Sequence, residues 1–401
     1  MPPTRSTLDS FHARTRSVHA GKAIDLGGAA PTAAPIHVAT AYSYETTDEL
    51  DAVFEDNAAG YVYSRYGNPT VRAFERAIAA VERTHEAIAY GSGMAAIHAA
   101  ILCAATSGAR ILASQDLYGA THALLRSMVA QNGIETTFVD IHDVDQVRSL
   151  ASEIEPAVIF AETISNPLIR VTDIPAITAI ARDVGAVSII DNTFASPVIV
   201  QPATLGADIV VHSTTKFIGG HGDTTGGVIA TSAAHASVLR EQARLLGALA
   251  GPFDAWLALR GLKTMHLRVR QQSDNARAVA EWLNDDPRIE RVHYPCVSRG
   301  PTPPVFTGDG RGGLLSFEIA SASRAEVFRF QDALQLCIPA TTLGDVYSLV
   351  LYPAISSHRA LTPEERKAIG IRDNLVRFSA GIEDVEDIRA DLDQALAAAI
   401  S

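Results

Sequence analysis

Between residue 68 and about residue 255, short and nearly all-apolar runs alternate with stretches whose apolar positions recur every three to four residues. Seven runs read as strands: Ala87–Tyr90, Arg110–Ala113, Glu135–Val139, Ala157–Ala161, Val187–Ile190, Asp208–Val211 and Gly227–Ala230. Met94–Ala104, Thr121–Gln131 and Ile174–Asp183 read as helices between them. Strands apolar on both faces, alternating with helices, predict an α/β fold with a mainly parallel seven-stranded sheet covered on both sides. Ligands of such sheets sit beyond the carboxyl ends of the strands, so polar clusters there are the first place to look for chemistry.

The pattern changes toward both ends. Residues 1–67 show no sustained period, and Pro, Gly, Ala and Thr dominate Gly27–Thr40. An arm of that length is expected to lie against a neighbouring subunit. Past residue 255, Trp256–Leu283 is one long helical pattern, followed by a Pro-rich loop (Tyr294–Pro304) and a strand at Leu314–Ile319. A helix near Arg324–Leu334, strands at Tyr347–Leu351 and Leu375–Ser379, and an amphipathic helix over Asp384–Ala399 complete it. The expected organisation is an arm (1–67), a large domain (68–255) and a smaller α+β domain (256–401).

Composition narrows the choices. Of 401 residues, 47% are apolar and 19% charged, enough to bury a core and more than one ordinary core needs. The net charge of −12 argues against nucleic acid as a partner, since duplex binding needs a basic surface. Cys103, Cys296 and Cys337 stand far apart, which fits neither a disulfide framework nor a zinc site. Arg5, Arg14 and Arg16 near the start have no apolar run behind them, so a secretory signal is not expected. No run is long and apolar enough for a bilayer. A soluble, cytoplasmic protein without a metal is the expectation.

Several strand ends carry candidate chemistry. Ile209–Val211 runs straight into His212-Ser-Thr-Thr-Lys216, then into glycines. A lysine ending a buried strand is costly unless used, and desolvation lowers its pKa toward the range of Schiff-base chemistry. Ser213 and Thr215 can donate hydroxyls to a phosphate beside it. A plain loop lysine is the alternative. Ser188-Ile-Ile-Asp191 is a second buried strand ending in a charge; Asp191 suits either a turn or the ring nitrogen of a pyridine cofactor. Strand, glycine turn and helix follow one another at Tyr90-Gly-Ser-Gly93-Met94, a cradle of free amides for an anion. The same Gly91-x-Gly93-x-x-Ala96, with Asp116 downstream, also matches a dinucleotide fingerprint.

Four further residues are weaker alone. Tyr118 follows the next strand and can stack on a flat ring or give a proton; it also reads as a loop tyrosine. Tyr63 and Arg65, in Tyr61-Val-Tyr-Ser-Arg-Tyr-Gly-Asn-Pro-Thr70, make a good phosphate pair or a surface turn. Arg377 interrupts the apolar strand Leu375–Ser379 and wants an anion: a substrate carboxylate, or an acid such as Asp384.

Taken together, Tyr-Ser-Arg-Tyr-Gly-Asn-Pro-Thr70, Asp191-Asn-Thr, Ser-Thr-Thr-Lys216 and Arg377-x-Ser-x-Gly-Ile-Glu-Asp384 occur in a specific order and spacing. From about Ser17 onward the chain resembles the Cys/Met-metabolism, or trans-sulfuration, family of fold-type-I pyridoxal-phosphate enzymes. The resemblance implies pyridoxal 5'-phosphate as cofactor, Lys216 as its Schiff-base lysine and Asp191 as partner of its ring nitrogen. It implies Tyr118 stacked on the ring, and Gly93, Met94, Ser213 and Thr215 on the phosphate. Tyr63 and Arg65 would reach the phosphate of a neighbouring subunit, so a dimer is the least assembly and a homotetramer of two dimers the usual one. Asn166, Thr342 and Arg377 would lie near the carboxylate of an amino-acid substrate.

The implied activity is γ-elimination or γ-replacement, a lyase or a transferase of methionine and cysteine metabolism. Relatives that handle cystathionine often carry Glu where this chain has Thr341 and Arg where it has Ala123; both grip a distal amino-acid end. Methionine γ-lyases carry Cys where Ala120 stands. Tyr352 replaces a His, and Phe378 a Leu. A compact O-acyl-homoserine or methionine-like substrate is therefore expected ahead of cystathionine. Two readings stand against this one: a dinucleotide-binding oxidoreductase resting on Gly91, Gly93 and Asp116, and an idle binding protein.

Overall fold

The computed structural model describes residues 8, 10–21, 31–55, 57–295, 297, 303–359 and 361–400. Arg5, Cys296 and parts of the arm and the Pro-rich loop lie outside them.

Seven strands form the larger sheet: β1 (Glu86–Tyr90), β2 (Arg110–Ser114), β3 (Glu135–Val139), β4 (Val158–Glu162), β5 (Val187–Asp191), β6 (Ile209–Ser213) and β7 (Gly227–Thr231). Their order is β1-β7-β6-β5-β4-β2-β3. All are parallel except β7, which runs against both β6 and β1. The carboxyl ends of β1, β2, β4, β5 and β6 consequently meet along one rim. Alternate residues of a strand enter opposite cores, as the pleat requires. Ile159, Ile190 and Val210 face one core, while Phe160, Ile189 and Val211 face the other.

Local signals start the helices. Asn68 caps the helix Pro69–Glu82 by accepting from the amides of Thr70 and Val71, with proline in the first turn. Gly67-Asn68-Pro69 is thus a helix start with a buried Asn68, not a surface turn. The arm is less shapeless than its sequence suggests: Ala13–His19 and Thr47–Phe54 are helical. It is also tied to its own chain, through Trp256 Nε1 donating to Ala34 O at 2.8 Å and Thr70 Oγ1 donating to Pro35 O at 2.9 Å.

The second sheet has five strands: β8 (Ile289–His293), β9 (Leu314–Ile319), β10 (Ile338–Pro339), β11 (Leu349–Leu351) and β12 (Leu375–Ser379), in the order β10-β11-β12-β9-β8. The strand expected from Tyr347 starts two residues later, at Leu349. The amide and hydroxyl of Ser348 both donate to Glu383, at 2.6 and 2.9 Å, while its carbonyl still accepts from Ile338 N of β10 at 2.9 Å.

One helix, Pro252–Asn284, connects the two sheets. Its 33 residues span roughly 50 Å. Leu259, Leu262, Met265 and Val269 pack into a core of the large sheet, and Ala276, Val279, Ala280 and Leu283 into the core of the small one. Gly261 sits inside this helix because the segment after Lys216 crosses it: a Cβ there would lie 2.3 Å from Gly219 O.

Candidate active site

The rim of the large sheet opens into a cavity of about 470 Å3. On one wall the turn after β1 delivers Ser92, Gly93 and Met94. The Ser92 hydroxyl caps the following helix by accepting from Ala95 N at 3.1 Å. The amides of Gly93 and Met94 then have no partner within the helix, and both residues border the cavity. Glycine is needed at 93 because β6 passes so close: a Cβ would sit 2.8 Å from that of Ser213. Ser213 and Thr215 border the same wall.

Lys216 extends from this wall, and its Nζ donates to Thr342 Oγ1 at 2.9 Å. Burial, with the charge of Arg377 next, lowers its pKa to about 8. The turn beyond it is clamped from the long helix by Arg268, whose guanidinium donates to Phe217 O, Ile218 O and Gly261 O at 2.9, 3.3 and 2.8 Å.

Asp191 ends β5 on the cavity floor. Its Oδ1 accepts from the amide and hydroxyl of Thr193, at 2.9 and 2.5 Å, and Thr193 Oγ1 accepts in turn from Ser213 N at 2.8 Å. Thr193 thereby ties the ends of β5 and β6 together. Burial raises the pKa of Asp191, opposed by the Thr193 hydrogen bonds and by the nearby His212. His212 is itself buried 2.5 Å from Glu82 Oε1.

The opposite wall comes from the small sheet. Arg377 is 3% exposed. Its Nη1 donates to Asn166 Oδ1 at 3.0 Å and its Nη2 to Thr342 O at 3.2 Å, while Nε is buried without an acceptor. Among the described residues no acid pairs with it. Asp384, the candidate partner in the sequence, accepts instead from Glu386 N. A buried guanidinium with a free donor on a cavity wall is arranged for an anion from outside. Tyr118 borders the cavity at 41% exposure, its amide held by Glu162 Oε1 at 2.6 Å.

Tyr63 and Arg65 do not border this cavity. Tyr63 is exposed, and Arg65 donates to Arg244 O at 2.5 Å in a separate arginine-rich hollow. The dinucleotide reading fails on two observations. Asp116 is already occupied, receiving Ser114 Oγ at 2.6 Å and lying beside His142 and Arg170. The strand before the glycine turn is an edge strand with only an antiparallel neighbour, which a dinucleotide βαβ unit does not allow. Glu162, Thr193, Phe194, Ser356 and Ser357, for which the sequence suggests no role, also lie on the cavity surface. Glu162 nonetheless carries the same signal as Asp191: a buried, mostly apolar strand ending in an acid.

Residues 14–397 match the family model described as Cys/Met metabolism PLP-dependent enzyme. The chain belongs to this family. It is 38% identical over 391 residues to an L-methionine gamma-lyase of Fusobacterium nucleatum subsp. polymorphum, covering 95% of this chain and 97% of that one. It is 39% identical over 343 residues to a cystathionine gamma-lyase of Bacillus subtilis, covering 84% and 89%. A putative O-acetylhomoserine (thiol)-lyase of Campylobacter jejuni, solved with N'-pyridoxyl-lysine-5'-monophosphate, superposes with a TM-score of 0.89 at 32% identity, over 96% of this chain and 100% of that one.

The fold is therefore fold type I, and the protein is a pyridoxal-phosphate-dependent enzyme of the trans-sulfuration group. Its cavity suits that coenzyme. The amides of Gly93 and Met94 and the hydroxyl of Ser213 on one wall suit a phosphate, with Thr215 beside them bonded to Gly226, the buried lysine suits an aldehyde, and the buried acid suits a pyridine nitrogen. Among the described residues no group of His, Cys, Asp and Glu could hold a metal, and no helix is long and apolar enough to cross a membrane.

Proposed function

We propose that the enzyme catalyses γ-elimination or γ-replacement on a compact amino acid, an O-acyl-homoserine or a methionine-like thioether, in preference to cystathionine. One observation carries the choice. Among the described residues the ionisable side chains on the cavity surface, besides Tyr118, are Lys216, Asp191, Glu162 and Arg377; the first two and Arg377 serve the coenzyme and the α-carboxylate, and Glu162 holds the amide of Tyr118. Thr341, Ser356, Ser357 and Leu351, which complete the wall, offer no charge to a second amino-acid head. Ala123 brings none either.

Gly93, Met94, Ser213 and Thr215 would hold the coenzyme phosphate, Lys216 its aldehyde and Asp191 its ring nitrogen, and Tyr118 would stack on the ring. Bound there, pyridoxal phosphate supplies an electron sink for charge developing at the substrate's α- and β-carbons. Arg377, steered by Asn166, takes the α-carboxylate. Lys216 Nζ removes the α-proton and carries protons along the chain, and the Tyr118 hydroxyl protonates the departing γ-group. Water then yields 2-oxobutyrate and ammonia; a thiol yields a thioether. Tyr63 and Arg65, remote from their own cavity, serve that of a second subunit, and a sedimenting mass of one chain would refute this.

The deciding experiment is a product assay over homoserine esters, methionine, homocysteine and cystathionine, with and without added thiol. Products from the first two classes are expected. Transamination alone, or cystathionine as the sole substrate, would end the proposal.

Two expected results test the residue roles. Arg377→Lys keeps the charge but loses the planar fork. KM for amino-acid substrates should rise about 10- to 100-fold, the equivalent of one charged hydrogen bond, with kcat changed less. An unaltered KM would place the carboxylate elsewhere. The second concerns pH. A lysine attacks an aldehyde only as the free amine, so a lowered pKa extends reactivity toward neutrality. Recombination of stripped protein with pyridoxal phosphate should accelerate with pH and level off near 8. An increase continuing to about 10.4, the ordinary lysine value, would contradict a buried amine.

A further inference from the structure

Glu162 and Asp191 are register partners at the ends of the parallel neighbours β4 and β5. Their side chains therefore leave the sheet on the same face, from strands about 4.8 Å apart. Both are buried, at 6% and 9% exposure, and both border the cavity. Two unit charges about 6 Å apart at an effective dielectric of about 20 cost the second ionisation about two pH units. The pair cannot comfortably carry two negative charges.

We propose that the two carboxyls hold one proton between them and that Glu162 carries it, leaving Asp191 as the single charged acid of the pair. The donors around them decide the site. Asp191 Oδ1 receives the amide and the hydroxyl of Thr193, with the His212 imidazole close by from β6. Glu162 Oε1 receives the Tyr118 amide, with the Asn166 amide also leaning toward it, and Oε2 is buried with no donor at all. The other charges that face Glu162 do not compensate it. Asp116, beyond β2, adds a negative field that His142 and Arg170 only partly balance. Lys216 and Arg377 share the cavity, but their hydrogen bonds go to Thr342 and to Asn166 and Thr342. Burial and the charge of Asp191 push the Glu162 carboxyl well above the usual carboxylate range, in keeping with this arrangement.

Glu162 is then a positioning residue. As a neutral acid it fixes the backbone of Tyr118 without placing a second negative charge beside Asp191. This deepens the proposed function, since it rests on Asp191 facing the coenzyme's ring nitrogen.

The test is infrared spectroscopy on the purified full-length enzyme near neutral pH, unlabelled and grown with glutamate carrying carbon-13 in the side-chain carboxyl. The expected result is a carbonyl band of a protonated carboxylic acid that moves to lower frequency with the label and is missing from E162Q. Glutamine keeps both the shape and the acceptor for Tyr118. A wild-type spectrum with no such band, a band that ignores the glutamate label, or one that persists in E162Q overturns the proposal. The labelled wild type answers the question even where the variant folds badly. Colour reports separately on the coenzyme: a colourless protein that still shows the labelled band upholds the shared proton while sinking the reading of Asp191 as the coenzyme's partner.

Discussion

Lys216→Ala should lower turnover at least about a thousandfold, within the range that positioned acid–base groups contribute. The substitution removes two things at once. One is the covalent anchor proposed above, since among the described residues no other amine borders the cavity. The other is the proposed proton carrier, an amine whose pKa burial brings to about 8. The coenzyme should still bind, weakly and without a covalent link, because the amides of Gly93 and Met94 and the hydroxyls of Ser213 and Thr215 are untouched. Borohydride should therefore fix label to the wild type and none to the variant, and small amines should restore part of the activity. Turnover within tenfold of wild type would mean that another group moves the protons.

Asp191→Asn comes second in size. Asparagine keeps an oxygen for the Thr193 amide and hydroxyl, so the tie between β5 and β6 survives while the charge goes. A charge about 4 Å from a protonated ring nitrogen, at an effective dielectric of about 20, is worth about 4 kcal/mol, or roughly a thousandfold. That loss should fall on kcat, with the coenzyme retained and the absorption of the bound coenzyme displaced. A variant with full kcat would show that the ring needs no charged partner, and the assignment of Asp191 would fail.

Most of the large sheet was legible because its inner strands are buried on both faces; the edge strand β3 (Glu135–Val139) showed itself by its β-branched and aromatic residues instead. Burial writes itself as an uninterrupted apolar run, and six of the seven strands were placed within a residue at their start and within two at their end, while β3 matched at both ends. Lys216, Asp191 and Arg377 stood out for the same reason: a charge at the end of or within such a run is costly unless it is used or paired. What stayed hidden lacks that contrast. The edge strand β8 reads Ile-Glu-Arg-Val-His, with the charges of Glu290 and Arg291 turned outward, and its sequence looks like a loop. The helix Thr47–Phe54 has no buried residue and was absorbed into the arm. Ser356 and Ser357 reach the cavity from a segment without any period, where only the folded chain reveals proximity. Glu162 is a different kind of omission, because its signal was present and went unused.

The long helix Pro252–Asn284 restricts how this chain can be recombined. Its first half is fitted to one core, its second half to another, and Arg268 between them holds the turn that carries Lys216. A chimera exchanging the carboxyl-terminal third with a relative has no neutral crossing point inside that rod. Whichever half it imports must meet foreign side chains, and a mismatch at either end is passed straight to the lysine turn. Libraries that shuffle specificity between relatives should therefore exchange the segments around Thr341 and Ser356–Ser357 that line the cavity and inherit the rod intact.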